Sequence, residues 1–360
     1  MMNKELRTPA AALTPSVKEW LPRQLRLAQD VPDALLMDAG WLDGTGRFTA
    51  TAGCLFGADI GGTKVQSVLT DLNGTLIAEV RSTTPPEGGD AVLDLVTSHL
   101  SQMMLQTGAP LLAAGVGLPG TVHPVTGHLD RAPNLRGFDG RDMRALLSDR
   151  LGVPTAVEND VNFAALGEVW LGHGTLPAAA SGGLAFVALG TGIGMGLAWG
   201  DRILRGALGA AGEVAALPIG GNPFDPATRG CGALESVVSG AALVKDYRAS
   251  GGTHAGQTLR EITKDAQIDP ALDAVMERLA QRTALAVLSI DAIVNPAVFA
   301  FGGGIGSQPA LLARITAALA QALPDGHPMP DCRISQLGNR AGVFGAVRAA
   351  RLAYADSLTA

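Results

Sequence analysis

Apolar positions fall in short blocks separated by glycine-rich or polar turns, and the blocks predict strands alternating with helices. Leu55-Phe56-Gly57-Ala58 predicts a strand entering the loop Asp59-Ile60-Gly61-Gly62-Thr63-Lys64, and Val65 to Asp71 a second strand leaving it. Asn73-Gly74 is a strong hairpin turn, so Thr75 to Ser82 reads as the third strand. An amphipathic helix from Asp90 to Thr107 follows, then strands at Leu112–Leu118 and Thr155–Glu158 and a helix from Val161 to Leu171.

The pattern then restarts. A strand at Leu184–Leu189 enters the loop Gly190–Gly194, Met195 to Trp199 leaves it, and Arg202 to Leu204 follows the turn Gly200-Asp201. Helices are expected at Ala233–Ser250 and Leu272–Ile293, a strand at Val298–Phe301 entering Gly302-Gly303-Gly304, and helices at Pro309–Leu323 and Ala341–Tyr354. This is a repeat of topology rather than of sequence, and two facing hairpins of this kind can clamp a triphosphate. Residues 1–53 stand apart, with mixed prolines and charges, one helical stretch from Pro15 to Asp38 and the turn-rich Leu42–Gly46. The resulting division is an N-terminal extension (1–53), a first lobe (54–173), a second lobe (174–340) and a C-terminal helix (341–360) packing back on the lobes.

Composition narrows the function. The 47 glycines are nearly twice the usual share and cluster beside apolar blocks, as loops approaching a ligand do. Aromatics at 4% and a net charge of −6 argue against a nucleic-acid coat. Cys54, Cys231 and Cys332 have no CxxC spacing, which suits a reducing cytoplasm. Residues 1–30 show no apolar leader, and the uncharged stretch Ser181–Gly200 is broken by glycines, so a soluble cytoplasmic protein is expected.

The loop at Asp59 has the chemistry of a phosphate cradle. Adjacent glycines bring backbone N–H groups close to phosphate oxygens, Thr63 adds a hydroxyl, Lys64 adds positive charge, and Asp59 suits Mg²⁺. A glycine pair in a hairpin is often only a turn. Here Gly190-Thr191-Gly192-Ile193-Gly194 stands at the matching place of the second repeat, and Gly302, Gly303 and Gly304 close a later strand where a nucleoside could approach.

These residues, in this order, resemble the ROK family of sugar kinases and repressors. The likeness runs from about Leu55 to Leu352. It includes Asp59–Lys64, Gly117–Gly120, Ala132–Leu135, Glu158–Asn162, Gly190–Gly194, Gly209–Glu213, Leu234-Glu235 and Phe301–Ile305. The resemblance implies an α/β, actin-like ATPase (ribonuclease H-like) fold with two lobes around a nucleotide and sugar cleft. It implies an ATP-dependent, glucokinase-like transfer of the γ-phosphate to a hexose hydroxyl, with Mg-ATP as cofactor, sugar and ATP as partners, and a homodimer. Asp160 is then the general base, and Gly120, Asn134, Asn159, Asp160, Glu213 and Glu235 are the sugar side. Gly61, Gly62, Thr63, Lys64, Gly190, Thr191, Gly192, Gly194 and Gly302–Gly304 are the nucleotide side, with Asp59 on Mg²⁺. An Asn-Asp pair before Val161 would also cap a helix, and a rigid helix start can serve both purposes.

The sequence departs from the family in one respect. Relatives carry a histidine three residues after the first glutamate and a cysteine run before Leu-Glu, which together bind zinc. Here Ala216, Pro226, Thr228 and Ala233 hold those positions, and the lone Cys231 cannot make a four-ligand site, so no zinc is expected.

Some family members are repressors with a winged helix-turn-helix, and Leu35–Gly46 resembles the end of one. About 50 residues are too few for such a domain. Residues 1–53 also carry six basic and six acidic side chains, a poor phosphate footprint. A kinase is therefore expected, with a sugar-responsive regulator or a non-catalytic sugar-binding pseudo-kinase as the alternative.

Overall fold

A computed structural model describes residues 13–27, 30–130, 137–256, 258–259, 261–262 and 269–359. The chain divides into two units, one of Met1–Trp170, Gly200–Ala210 and Arg340–Ala360, the other of Leu171–Trp199 and Ala211–Asn339. Among the described residues no helix is long and apolar enough to cross a membrane.

The first unit is built on a five-stranded sheet in the order β3-β2-β1-β4-β7, formed by β1 (Cys54–Ile60), β2 (Lys64–Asp71), β3 (Leu76–Thr83), β4 (Leu111–Leu118) and β7 (Thr155–Asn159). β1, β2 and β3 pair antiparallel as a meander, whereas β1, β4 and β7 pair parallel. All eight residues of β4 are buried, as a strand covered on both faces must be, which is why it reads as a continuous apolar run. Short strands β5 (Thr121–Val122) and β6 (Leu129–Asp130) and helices α3 (Gly89–Met104) and α4 (Met143–Leu151) complete the connections. The helix α5 (Asp160–Leu171) starts where β7 ends.

After a short helix α6 (Pro177–Gly182), the second unit repeats the plan. β8 (Leu184–Leu189) pairs antiparallel with β9 (Ile193–Trp199) and parallel with β11 (Val298–Gly302), which pairs parallel with β12 (Cys332–Ile334). The order β9-β8-β11-β12 thus matches β2-β1-β4-β7 strand for strand. The two-residue strand β10 (Arg202–Ile203) lies in the Gly200–Ala210 segment of the first unit. The remaining helices are α7 (Glu235–Val238), α8 (Gly240–Ala249), α9 (Pro270–Ile293), α10 (Gly303–Gly306), α11 (Pro309–Ala322) and α12 (Ala341–Ser357).

Helix α12 is set into the first sheet by glycines. A Cβ on Gly57 of β1 would fall 2.7 Å from the Val343 carbonyl oxygen, and one on Gly115 of β4 would land on the Ala346 carbonyl. A Cβ on Gly345 of α12 would land on the Phe163 carbonyl of α5. Helix and strands therefore meet backbone to backbone, a distance at which only glycine fits.

The helical stretch expected over Pro15–Asp38 is two helices, α1 (Pro15–Arg26) and α2 (Ala34–Asp38). Two buried arginines of α12 account for the stop. Arg348 donates to the carbonyls of Leu25 (3.1 Å) and Arg26 (2.6 Å), and Arg351 to those of Gln24 (3.2 Å) and Leu27 (3.3 Å). These are the carbonyls that a helix C-terminus leaves without intrahelical partners. Burial pulls the Arg348 guanidinium down to about 10 and Arg351 to about 9, so both keep their charge at neutral pH. Trp170 and Phe48 offer ring faces to Arg351 at 5.9 and 4.9 Å. The turn at Asp43–Gly46 joins a single antiparallel bridge between Leu42 and Phe48. The single helix expected at Ala233–Ser250 is also two, because Ser239 is extended (φ −63°, ψ 152°) and caps α8 by accepting from Ala242 N at 3.3 Å.

Candidate active site

In the first unit the turn between β1 and β2 is held rigidly. Gly61 N donates to the Lys64 carbonyl (2.8 Å), the Thr84 hydroxyl to the Gly61 carbonyl (2.6 Å), and Thr84 N to the Thr63 carbonyl (3.1 Å). Gly62, Thr63 and Lys64 are exposed at its tip.

Asp59 is the penultimate residue of β1, and two glycines make room for its carboxylate. A Cβ on Gly117 would lie 3.6 Å from Oδ1 and 3.5 Å from the Asp160 Cα. One on Gly342 would lie 3.2 Å from Oδ2 and 3.5 Å from the Asp160 carbonyl. The Asp59 carboxylate and the start of α5 are thereby brought to one place. Burial pushes the Asp59 carboxyl up to about 6, against the lowering influence of Lys64. The hard oxygen donor, the glycine-lined space and a carboxylate lacking full compensation fit Mg²⁺.

A stability measurement follows from that shift. A carboxyl whose pKa is raised by folding contributes stability fully below its unfolded value near 4 and loses it as pH rises through about 6. Asp59→Asn should therefore gain on the native protein as pH climbs from 4 to 6.5. Urea unfolding of both at four pH values reads the difference, and a pH-independent gap would contradict it.

Asp160 is the first residue of α5, and its Oδ1 accepts from Val161 N at 2.9 Å. The cap proper is Asn159. Its Oδ1 accepts from Val161 N (2.9 Å) and Asn162 N (3.1 Å), while its Nδ2 donates to the Gly120 carbonyl (2.9 Å). Gly120 has φ +112°, open only to glycine. Of the residues assigned to the sugar, Asn159, Asp160 and Gly120 are thus adjacent, and Asn134 lies outside the described residues.

A further support escaped the sequence reading. Glu158, 2% exposed, accepts from Asn159 N (2.8 Å), from Asn162 Nδ2 (3.0 Å) and from Arg205 Nε. A buried carboxylate with three donors fixes the two residues that bracket Asp160. Nothing in the spacing announces Arg205, which is 47 residues away.

In the second unit the Gly190 loop closes with Gly190 N donating to the Gly192 carbonyl (2.9 Å), and Gly240 N braces it from α8 through the Gly190 carbonyl (3.0 Å). A Cβ on Gly190 would sit 3.6 Å from Gly304 N, so the second and third glycine segments abut. Gly303 has φ +80°, and a Cβ there would overlap the Leu189 carbonyl. Gly302 ends β11 and Gly194 lies within β9, while Thr191 is exposed at the loop's tip.

Glu235 Oε2 accepts from Ile193 N at 3.0 Å, and a Cβ on Gly192 would collide with the same oxygen. This carboxylate therefore touches the glycine loop. Glu213 is exposed just after Gly212 (φ +91°), whose missing Cβ makes space for the Met195 carbonyl. Leu234 N donates to the Ala215 carbonyl (3.1 Å), so the segments bearing the two glutamates run together.

The positions that the resemblance assigns to zinc ligands are occupied differently. The Thr228 hydroxyl donates to the carbonyls of Asn222 (2.9 Å) and Asp225 (2.8 Å), and Asp225 Oδ1 accepts from Ala227 N (2.9 Å). Among the described residues no three His, Cys, Asp or Glu side chains are grouped to hold a metal ion. The donor set here does not fit zinc, and hydrogen bonds order the loop instead.

Comparison with known proteins is consistent with this picture. The family model described as ROK family matches residues 55–352. The N-acetyl-D-glucosamine kinase of Escherichia coli O6:H1 is 32% identical over 309 residues, spanning 82% of this chain and 97% of the relative. A ROK family glucokinase from Streptomyces griseus, solved with glucose and AMPPNP, is 27% identical with a TM-score of 0.70, covering 83% of this chain and 99% of its own. A ROK family transcriptional regulator, a homologue of the Escherichia coli MLC protein, shares the fold at 18% identity and a TM-score of 0.74, over 96% of this chain and 91% of its own. The fold is the actin-like ATPase fold of these sugar kinases.

Proposed function

The chain belongs to the ROK family, and from that premise we propose that it is an ATP-dependent hexose kinase with Asp160 as its general base. The observation that carries the reading is the gathering of Asp59, the phosphate turn and Asp160 around Gly117 and Gly342. A regulator that only senses sugar has no need of a rigid phosphate turn joined to a mounted carboxylate.

In this reading Asp160 accepts the proton of the attacking sugar hydroxyl, making a poor nucleophile competent. Asn159 and Glu158 keep it in place, since the helix start they cap cannot rotate without breaking the hydrogen bonds to Gly120 and Asn162. Asp59 would hold Mg²⁺, which when bound offsets the charge developing on the phosphates. Backbone N–H groups of Gly61–Thr63 and of the Gly190 loop suit phosphate oxygens. Glu213 and Glu235 suit sugar hydroxyls, as carboxylates accepting from a polyol. The sugars worth testing first are glucose and N-acetylglucosamine, on which the two kinase relatives act by name.

The test is incubation with Mg-ATP and a panel of hexoses, with ADP release and sugar phosphate both measured. Phosphorylation of any of them supports the proposal. Sugar binding without product, together with retention of a DNA fragment, would replace it with the regulator.

Zinc-free ordering of 219–232 has its own test. Treating the purified protein with a strong zinc chelator should leave its thermal midpoint unchanged. Thr228→Val should lower stability by about 1–3 kcal/mol, because it removes a buried hydroxyl that serves two carbonyls. Chelator-sensitive unfolding would contradict this.

A further inference from the structure

We propose that the first unit carries a second ligand site, built for a small phosphomonoester and separate from the Asp59–Asp160 centre. A cavity of about 840 Å³ is lined by residues of β7, α5, the 201–205 segment and α12. That volume falls within the range of about 300–1,000 Å³ typical of small-molecule sites. Neither Asp59 nor Asp160 lines it.

Its charged lining is four arginines, Arg26, Arg144, Arg202 and Arg205, against Asp201 and Asp356. Two of the arginines are already matched. Arg26 pairs with Asp356 and lies 4.0 Å from Asp201, and Arg205 pairs with Glu158. Arg144 makes one 3.3 Å hydrogen bond to the Pro124 carbonyl, and among the described residues neither it nor Arg202 has a carboxylate within ion-pair distance. Two guanidinium charges without counter-charge match a dianion, and the planar guanidinium fork matches phosphate oxygens. Leu166, Ile203 and Ala349 give the same cavity an apolar wall continuous with the core, suited to the carbon body of a ligand. The ligand class is therefore a phosphate on a small carbon skeleton, with a sugar phosphate and free phosphate sharing the recognised head group.

The cavity is wired to the mounted carboxylate. Arg205 lines it and also holds Glu158, which in turn holds Asn159 and Asn162 on either side of Asp160. An anion that draws Arg205 towards the cavity loosens that hold, so occupancy lowers phosphoryl transfer. This regulatory consequence rests on the kinase reading, and the binding itself does not.

Calorimetric titration with glucose 6-phosphate and with inorganic phosphate, at one fixed ionic strength, tests the site directly. The native protein and Asp59→Asn should bind glucose 6-phosphate alike, and the Arg144→Gln/Arg202→Gln double variant should bind at least tenfold more weakly. Each single variant, at an exposed position, should show part of that loss with an unchanged thermal midpoint. Tighter binding of glucose 6-phosphate supports a sugar phosphate as the ligand, and equal binding of inorganic phosphate supports the site with the free anion as its ligand. Binding lost in Asp59→Asn but kept in the double variant, or no binding of either probe by the native protein, would overturn the proposal. Binding without any sugar kinase turnover would overturn the kinase reading and leave the site standing.

Discussion

Asp160→Asn should lower kcat for hexose phosphorylation by at least about 10²–10⁴-fold, the usual worth of a positioned general base, with little change in KM. The substitution is nearly isosteric, and its amide oxygen can still accept from Val161 N as Asp160 Oδ1 does. The helix start does not depend on it, because Asn159 supplies the capping oxygen and Glu158 anchors Asn159 and Asn162. The thermal midpoint should therefore stay close to that of the native protein. Steady-state kinetics with Mg-ATP and the preferred hexose, beside a thermal melt, separate the possibilities. Retention of more than a tenth of the activity would remove Asp160 from the base role. A collapsed midpoint would show that the residue is chiefly structural.

Gly115→Ala should be among the most damaging conservative changes in the first unit. Gly115 is central in β4, and its Cβ would land on the carbonyl of Ala346 in α12. Neither atom group is the flexible end of a side chain, so the helix must move as a body. Overpacking commonly costs about 1–3 kcal/mol and occasionally more, and the upper end or beyond is expected here. Gly345→Ala presses the neighbouring residue of the same helix against the Phe163 carbonyl. The double variant should then lose less than the sum, since the first displacement relieves part of the second. Gly108, with open space around the site of its Cβ and no positive φ, is the control, and Gly108→Ala should be nearly neutral. Urea unfolding of the four variants beside the native protein reads all of this, and a mild Gly115→Ala would show that α12 can lift off the sheet cheaply.

Much of the architecture was legible because the signals are local. Alternation and glycine pairs mark β1, β2 and β3, and then β8 and β9, and each pair of strands closes on a turn that only glycine-rich sequence makes comfortably. What escaped is set by contacts distant in sequence. The break after Arg26 depends on Arg348 and Arg351, and on a helical wheel those two arginines read as solvent-facing. The break at Ser239 depends on Gly240 N reaching the Gly190 loop.

The site was legible to a similar depth. The residue types at Asp59, Gly61, Gly190 and Asp160 suggest phosphate and base chemistry, and the run Gly117–Gly120 contains a glycine that leaves room for the Asp59 carboxylate. Gly342 stands at the start of an ordinary helix, with no pattern around it. Glu158 sits inside a recognised motif, but its partner Arg205 lies on a segment whose sequence neighbours belong to the other unit. A pairing of that kind is a property of tertiary structure alone.

The clasp between α1 and α12 also orders events during synthesis. Leu27 and Arg351 are 324 residues apart. A ribosome adding about 5–20 residues per second completes that interval in some tens of seconds. Until then α1 has no guanidinium to donate to its last carbonyls, and a helix of 12 residues is marginal by itself. Gly57 and Gly115 likewise wait, with β1 and β4 made and the helix that fills their groove still to come. The nascent first unit thus carries an uncovered sheet face for most of its translation, which marks this interval as the time when chaperones have most to protect.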